Sequence, residues 1–93
     1  TSIVVWGAGR VGKRFVRTLQ PIEGAPRVEA LVDLHPRKLG KRIHGVPVVP
    51  PDALRTHALR DALVLAAVGK PGAREDIRAR CGALGVSKVL AVA

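Results

Sequence analysis

At 93 residues the chain has room for one hydrophobic core, so two independent domains are excluded. Its 47% hydrophobic content suits a folded globule, no apolar run approaches the ~20 residues of a membrane span, and the single Cys81 rules out an internal disulfide and a cysteine-based zinc site. The 16 Lys and Arg against 7 Asp and Glu give a net charge of +9, a field that draws anions of many kinds without choosing among them.

In chain order, Ile3–Trp6 reads as the first strand, a continuous apolar run of the kind buried when helices cover both faces of a sheet. Arg10–Leu19 reads as a helix, with Val11, Phe15 and Leu19 at i, i+4, i+8 facing the core and Arg10, Lys13, Arg14 and Arg17 on the opposite arc. Val28–Val32 is the second strand. Val46–Val49 is a short third, and Pro47 within it predicts a sheet edge, where a missing donor is tolerable. A helical turn begins near Pro51-Asp52-Ala53-Leu54, and Leu63–Val68 is the fourth strand. A second helix is expected from Pro71 to Leu84, with Ala73, Ile77, Cys81 and Leu84 inward. Glu75 and Asp76 complement its dipole and Gly85 ends it as the C′ residue. Ser87–Val92 closes the chain as a fifth strand.

This alternation predicts an α/β fold: a doubly wound parallel five-stranded sheet with right-handed crossovers, in the spatial order 3-2-1-4-5. Residues 1–93 form the single domain. With no Met anywhere and no charged leader followed by an apolar segment, the sequence reads as a domain excised from a longer cytoplasmic chain.

The chemistry concentrates in Gly7-Ala8-Gly9-Arg10-Val11-Gly12, a G-x-G-x-x-G placed directly after a buried strand and opening a helix. Gly7 permits the tight turn, Gly9 admits a pyrophosphate to the backbone, and Gly12 allows close packing of helix on sheet. Phosphates then rest on free N–H groups at the positive helix end. Asp33 lies 21 residues after Gly12 at the end of the second strand, where a carboxylate accepts from a ribose hydroxyl. Together they make a Rossmann-like dinucleotide fingerprint. Arg37 and Lys38 follow Asp33 and leave a 2′-phosphate, hence NADP, open beside NAD; the plain alternative is a solvated basic loop. Gly69 and Lys70 follow the fourth strand, across the switch point, where Lys70 could meet a phosphate or a sugar hydroxyl. The cofactor-binding set is therefore Gly7, Ala8, Gly9, Arg10, Val11, Gly12, Asp33, Gly69 and Lys70.

A catalytic constellation is not found. His35, His44 and His57 lack metal-site spacing, Tyr is absent, and Cys81 lies on an inward stripe as a core thiol. Nothing resembles a helix-turn-helix, a zinc knuckle or an aromatic RNA-binding strand, and two aromatics make no stacking platform; the cationic helix stripe is the best argument for nucleic acid, but a solvated face explains it more simply and a nucleic-acid partner is not expected.

Val5-Trp6-Gly7-Ala8-Gly9-Arg10-Val11-Gly12, Leu31-Val32-Asp33-Leu34-His35-Pro36 and Ile43-His44-Gly45-Val46-Pro47-Val48 resemble a small Rossmann domain of bacterial glycan biosynthesis. The pattern is similar to the N-terminal domain of left-handed β-helix sugar acyltransferases and to the nucleotide-binding domain of sugar-nucleotide dehydratases and polyprenyl-phosphate sugar transferases. The last third, from Val68-Gly69-Lys70-Pro71-Gly72 to Leu90-Ala91-Val92-Ala93, resembles a C-terminal appendage of some bacterial family-2 glycosyltransferases. The resemblance implies a module that binds NAD(P) or a nucleotide-sugar, without its own catalysis, inside a larger transferase of polysaccharide biosynthesis, with the parent's other domains as neighbours and an oligomer compatible. The acyltransferases often pair acidic residues here, whereas this chain has Asp33 followed by Leu34-His35. Two other readings stand beside it: the cofactor domain of an NAD(P)-dependent oxidoreductase, and a docking domain that binds no nucleotide.

Overall fold

The computed structural model describes residues 2–56, 59–86 and 88–91. His57 and the ends of the expected last strand, Ser87 and Val92, lie outside them. In chain order the elements are β1 (Ser2–Trp6), α1 (Arg10–Leu19), β2 (Arg27–Val32), β3 (Arg42–Ile43), β4 (Val46–Val49), a 3₁₀ helix (Pro51–Arg55), β5 (Leu63–Ala66), α2 (Ala73–Ala83) and β6 (Val89–Ala91). Among the described residues these strands form one six-stranded sheet in the order β3-β4-β2-β1-β5-β6. The five expected strands are present in their expected order and all pair in parallel.

The addition is β3, an antiparallel strand outside β4, and it corrects the expectation that the strand of Pro47 forms the edge. The β3–β4 turn is His44-Gly45, with φ of +52° and +79°, the doubly left-handed two-residue turn that matches strand twist. The missing donor of Pro47 is tolerated because the ladder continues through Val48, whose N–H donates to the Lys41 carbonyl at 2.8 Å, and β2 joins only from Val48 onward.

Both faces of the sheet are covered, which is why its central strands read as unbroken apolar runs. Val4, Trp6, Val32, Val64 and Ala66 pack beneath α2 and the 3₁₀ helix with Leu54, Ile77 and Cys81. Val5, Leu31, Val46 and Val48 pack on the opposite face beneath Val16 of α1, with Phe15 beside them. The inward line of α1 differs from the expected stripe. Gly12 and Val16 are its buried residues, Phe15 and Leu19 flank them, and Val11 is 36% exposed. Gly12 sets this rotation, because a residue without a side chain brings the helix closest to the loop below it.

α2 starts two residues later than expected, since Gly72 adopts a left-handed φ of +78° before Ala73. It ends as predicted at Gly85 (φ +81°). The Val86 N–H donates to the Cys81 carbonyl at 2.8 Å and the Gly85 N–H to that of Gly82 at 3.1 Å, a complete Schellman motif with Val86 buried behind it. β5 is shorter than the expected Leu63–Val68. The Ala67 N–H makes a last bond to the Trp6 carbonyl at 2.9 Å, and Val68 and Gly69 then leave the sheet. Those two residues form part of the cleft described next.

Candidate functional site

The carboxyl ends of β1, β2 and β5 and the first turns of α1 and α2 enclose a cleft of about 500 Å³. Gly7, Gly9, Arg10, Val11, Asp33, Gly69 and Lys70 of the predicted set line it, so segments far apart in sequence meet at one place. Ala8 and Gly12 are not among the lining residues. Ala8 is buried and contributes its N–H to Asp33, while Gly12 lies beneath the loop.

Gly7 and Gly12 are each held to glycine by a close neighbour. Gly7 has φ +124°, its N–H donates to the Val32 carbonyl at 2.7 Å, and a Cβ there would stand 2.7 Å from the Ala67 carbonyl oxygen. A side chain at Gly12 would overlap the Gly7 carbonyl. Gly9 is the N-cap of α1 without a side-chain cap. Among the described residues the N–H groups of Arg10 and Val11 have no carbonyl acceptor, as expected of a first helical turn. Both residues line the cleft, and a positive helix end in that place could hold an anion.

Asp33 follows β2, and its side chain is 18% exposed. Its Oδ2 accepts from the Ala8 N–H at 2.9 Å and its Oδ1 from the His35 N–H at 2.8 Å, the latter an Asx turn. The carboxylate therefore ties the glycine loop to the loop after β2. Burial pushes its pKa up, but the hydrogen bonds from His35 and Ala8, the nearby Lys38 ammonium and the Leu34 N–H outweigh that and hold it below the ordinary carboxylate value. Asp33 is thus an anion at neutral pH, and each oxygen retains a second lone pair for a hydroxyl donor.

Lys38 Nζ lies 3.9 Å from Asp33 Oδ2, and the same 3.9 Å from the position of a Cβ on Gly9. The ammonium therefore stands over both the glycine loop and the carboxylate. Arg37, its sequence neighbour, is exposed and does not line the cleft. On the far wall, Asp76 of α2 lines the cleft and is held by Arg80 Nε at 3.0 Å, one turn later. Sequence reasoning assigned Asp76 only to the helix dipole. Its place on the fourth residue of a helix that follows a cleft loop was the available signal.

Cys81 is buried in the core and burial raises its thiol pKa, in keeping with an inert side chain. His35 and His44 are far apart in role: one belongs to the cleft wall, the other to the β3–β4 turn. No helix among the described residues is long and apolar enough to cross a membrane.

No protein-family model and no curated protein sequence matches the chain. Solved structures do. UDP-D-quinovosamine 4-dehydrogenase from Vibrio fischeri is similar with a TM-score of 0.81 at 18% identity, over 100% of this chain and 78% of that one. RSP, a Rex-family repressor, gives 0.76 at 17% identity, over 99% of this chain and 44% of its own. RSP in complex with β-NAD⁺ and operator DNA gives 0.71 at 16% identity, over 98% and 49%. The chain thus spans about half the length of the repressor. The likeness is one of fold: the chain has a Rossmann-type α/β architecture.

Proposed function

We propose that this chain is a nucleotide-binding module for NAD(P) or a nucleotide-sugar. It performs no chemistry of its own and belongs to a larger enzyme of sugar or polysaccharide biosynthesis, such as a glycosyltransferase. One observation carries the reading: the first-turn residues Arg10 and Val11, whose N–H groups have no carbonyl acceptor among the described residues, the Asp33 carboxylate and the Lys38 ammonium converge on a single cleft at the carboxyl edge of the sheet. In open α/β sheets that edge is where ligands bind. Phosphates would rest on the α1 N-terminus, a ribose hydroxyl would donate to Asp33, and the distal group would lie toward Gly69, Lys70 and Asp76. The dehydrogenase of a UDP-sugar and the NAD⁺ complex of the repressor among its structural neighbours support a ligand of this class.

The oxidoreductase reading is favoured by the name of that first neighbour, a dehydrogenase, and would require catalytic residues beyond this chain. A thermal-shift panel with NAD⁺, NADP⁺, coenzyme A, UDP-sugars and GDP-sugars at two salt concentrations separates nucleotide binding from the docking reading, and hydride transfer by the full-length protein distinguishes the oxidoreductase. A ligand at ~100 times its Kd adds about 2.7 kcal/mol, roughly 10–20 °C for a domain of this size. A shift with one ligand that survives salt supports the module and names its ligand. A folded protein that shifts with none of them, or equally with every anion until salt is added, refutes nucleotide binding and leaves the docking domain.

A further inference from the structure

The outer face of α1 has no part in the cleft beyond its first residues. The helix reads Arg-Val-Gly-Lys-Arg-Phe-Val-Arg-Thr-Leu: four cations and no acid. Arg10, Lys13, Arg14 and Arg17 fall at i, i+3, i+4 and i+7, one stripe about 10 Å long. All four are exposed. The β3–β4 turn rises beside them, because Gln20 Nε2, just past the helix, donates to the His44 carbonyl at 2.7 Å and pins the hairpin there. Between stripe and turn lies a groove of about 470 Å³ lined by Arg10, Lys13, Arg14, Arg17, Thr18 and His44.

No carboxylate among the described residues offsets this charge. Among the described residues none of the four cations is in an ion pair, whereas α2 sets Glu75 and Asp76 among its arginines and pairs Arg80 with Asp76 at 3.0 Å. Like charges three and four residues apart repel on a helix, and Arg10 and Lys13 also stand at its positive end. A polyanion laid along the groove would remove both penalties. Its chemistry is narrowed by what the groove lacks. Protein interfaces centre on apolar and aromatic side chains, and helices that lie on membranes need an apolar face. Among the described residues the large exposed apolar ones are Val11, Ile22, Leu34 and Leu90, and none lines this groove. Cations and a hydroxyl with no apolar centre are what a phosphodiester backbone requires. Trp6 is buried in the core on the α2 face and Phe15 packs against the separate core on the α1 face, so neither ring is offered to this groove for base stacking.

We propose that the outer face of α1 and the β3–β4 turn together dock the sugar-phosphate backbone of a nucleic acid, without reading its sequence. This goes beyond the nucleotide cleft, since Lys13, Arg14 and Arg17 do not line it.

The test is fluorescence anisotropy with a labelled mixed-sequence duplex across a salt series. Four backbone contacts give a slope of log K against log salt of about −3.6, so binding weakens ~150-fold between 50 and 200 mM salt. Arg14→Gln with Arg17→Gln keeps good helix formers and should reduce that loss to about 12-fold. Lys13→Gln with Arg17→Gln should do the same. Arg74→Gln with Arg78→Gln removes equal charge from α2 and should leave the slope unchanged. No binding at 50 mM salt overturns the proposal, as does a control variant that loses as much as the α1 variants. So does capture by phosphatidylserine vesicles in preference to the duplex, which would make the face a membrane contact.

Discussion

Replacing Gly12 by alanine sets two physical effects against each other. In an isolated helix the change favours alanine by about 1 kcal/mol. Here a Cβ on Gly12 would stand 2.9 Å from the Gly7 carbonyl carbon and overlap its oxygen, with Val5 Cγ1 at 3.6 Å behind. The loop cannot retreat, because Gly7 is bonded through its N–H to Val32 and its own Cα faces the Ala67 carbonyl. The helix must therefore lift off the sheet, and overpacking of this kind costs about 1–3 kcal/mol. Gly82 of α2 is the internal control: it is exposed and a Cβ there meets nothing within 4 Å. Gly82→Ala should stabilise by about 0.4–1 kcal/mol. Thermal unfolding followed by circular dichroism should place the two variants on opposite sides of the wild type, Gly12→Ala lower by up to about 2 kcal/mol after the helix-propensity gain is subtracted, at most roughly 16 °C in Tm, and Gly82→Ala higher by a few degrees. Gly12→Ala should also lose nucleotide affinity, since the displaced part is the cradle itself. A Gly12→Ala protein as stable as the wild type would refute the packing argument and with it the claim that Gly12 fixes the rotation of α1.

Leu54→Ala should cost about 2–5 kcal/mol in chemical denaturation, because Leu54 of the 3₁₀ helix is fully buried in the core beneath it. Lys38→Ala should change stability by under ~1 kcal/mol, as expected of a half-exposed pair at 3.9 Å, while weakening NADP⁺ binding more than NAD⁺ binding in calorimetry. Asp33 has a lowered pKa in the folded protein, so the stability it contributes is fully present above the unfolded value near ~4 and is lost as the pH falls through the folded value. The stability difference between wild type and Asp33→Asn should therefore be constant from about pH 5 to 8 and shrink below ~4; a difference that persists unchanged at pH 2 would contradict the ionic bonding assigned to Asp33. Cys81 should react with a thiol reagent only after denaturation, since its sulfur is buried and its thiol pKa raised.

The parts of the fold that could be read from sequence were those in which one physical requirement dominates. The strands of the sheet had to be apolar on both faces, and Gly85 had to supply a left-handed residue after a helix whose first turn carries Glu75 and Asp76. The glycine loop and Asp33 were legible because turn, close approach and carboxylate occur at fixed spacings. Two features were not. The strand Arg42–Ile43 is too short to show a period, and its turn uses His44 where Asn or Asp is the usual sign. The rotation of α1 was hidden because a hydrophobic stripe counts Val11 and Phe15 and ignores Gly12, although closest approach is decided by the residue with least bulk. The same blindness applied to Asp76, whose place in the cleft depends on where α2 arrives in space.

Asp33 shows why site and scaffold are hard to separate in this protein. The fingerprint assigns its carboxylate to a ribose, yet in the structure both oxygens already accept backbone N–H groups, one of them from Ala8 in the glycine loop. That bond uses a donor of the loop, so the phosphate cradle is left to the residues from Gly9 onward. It also means that the charge which would recognise the ligand is the charge that holds the recognising loop in place. A hydroxyl arriving at Asp33 would share a carboxylate already oriented by two short bonds, and orientation before binding removes part of the ordering cost that a free side chain incurs. Lys38 fits the same logic: paired loosely with Asp33 and half exposed, it keeps the carboxylate ionised while remaining free to turn toward an added phosphate. On the proposed reading the cleft is preorganised, because the groups that would meet a phosphate and a hydroxyl already hold one another in place.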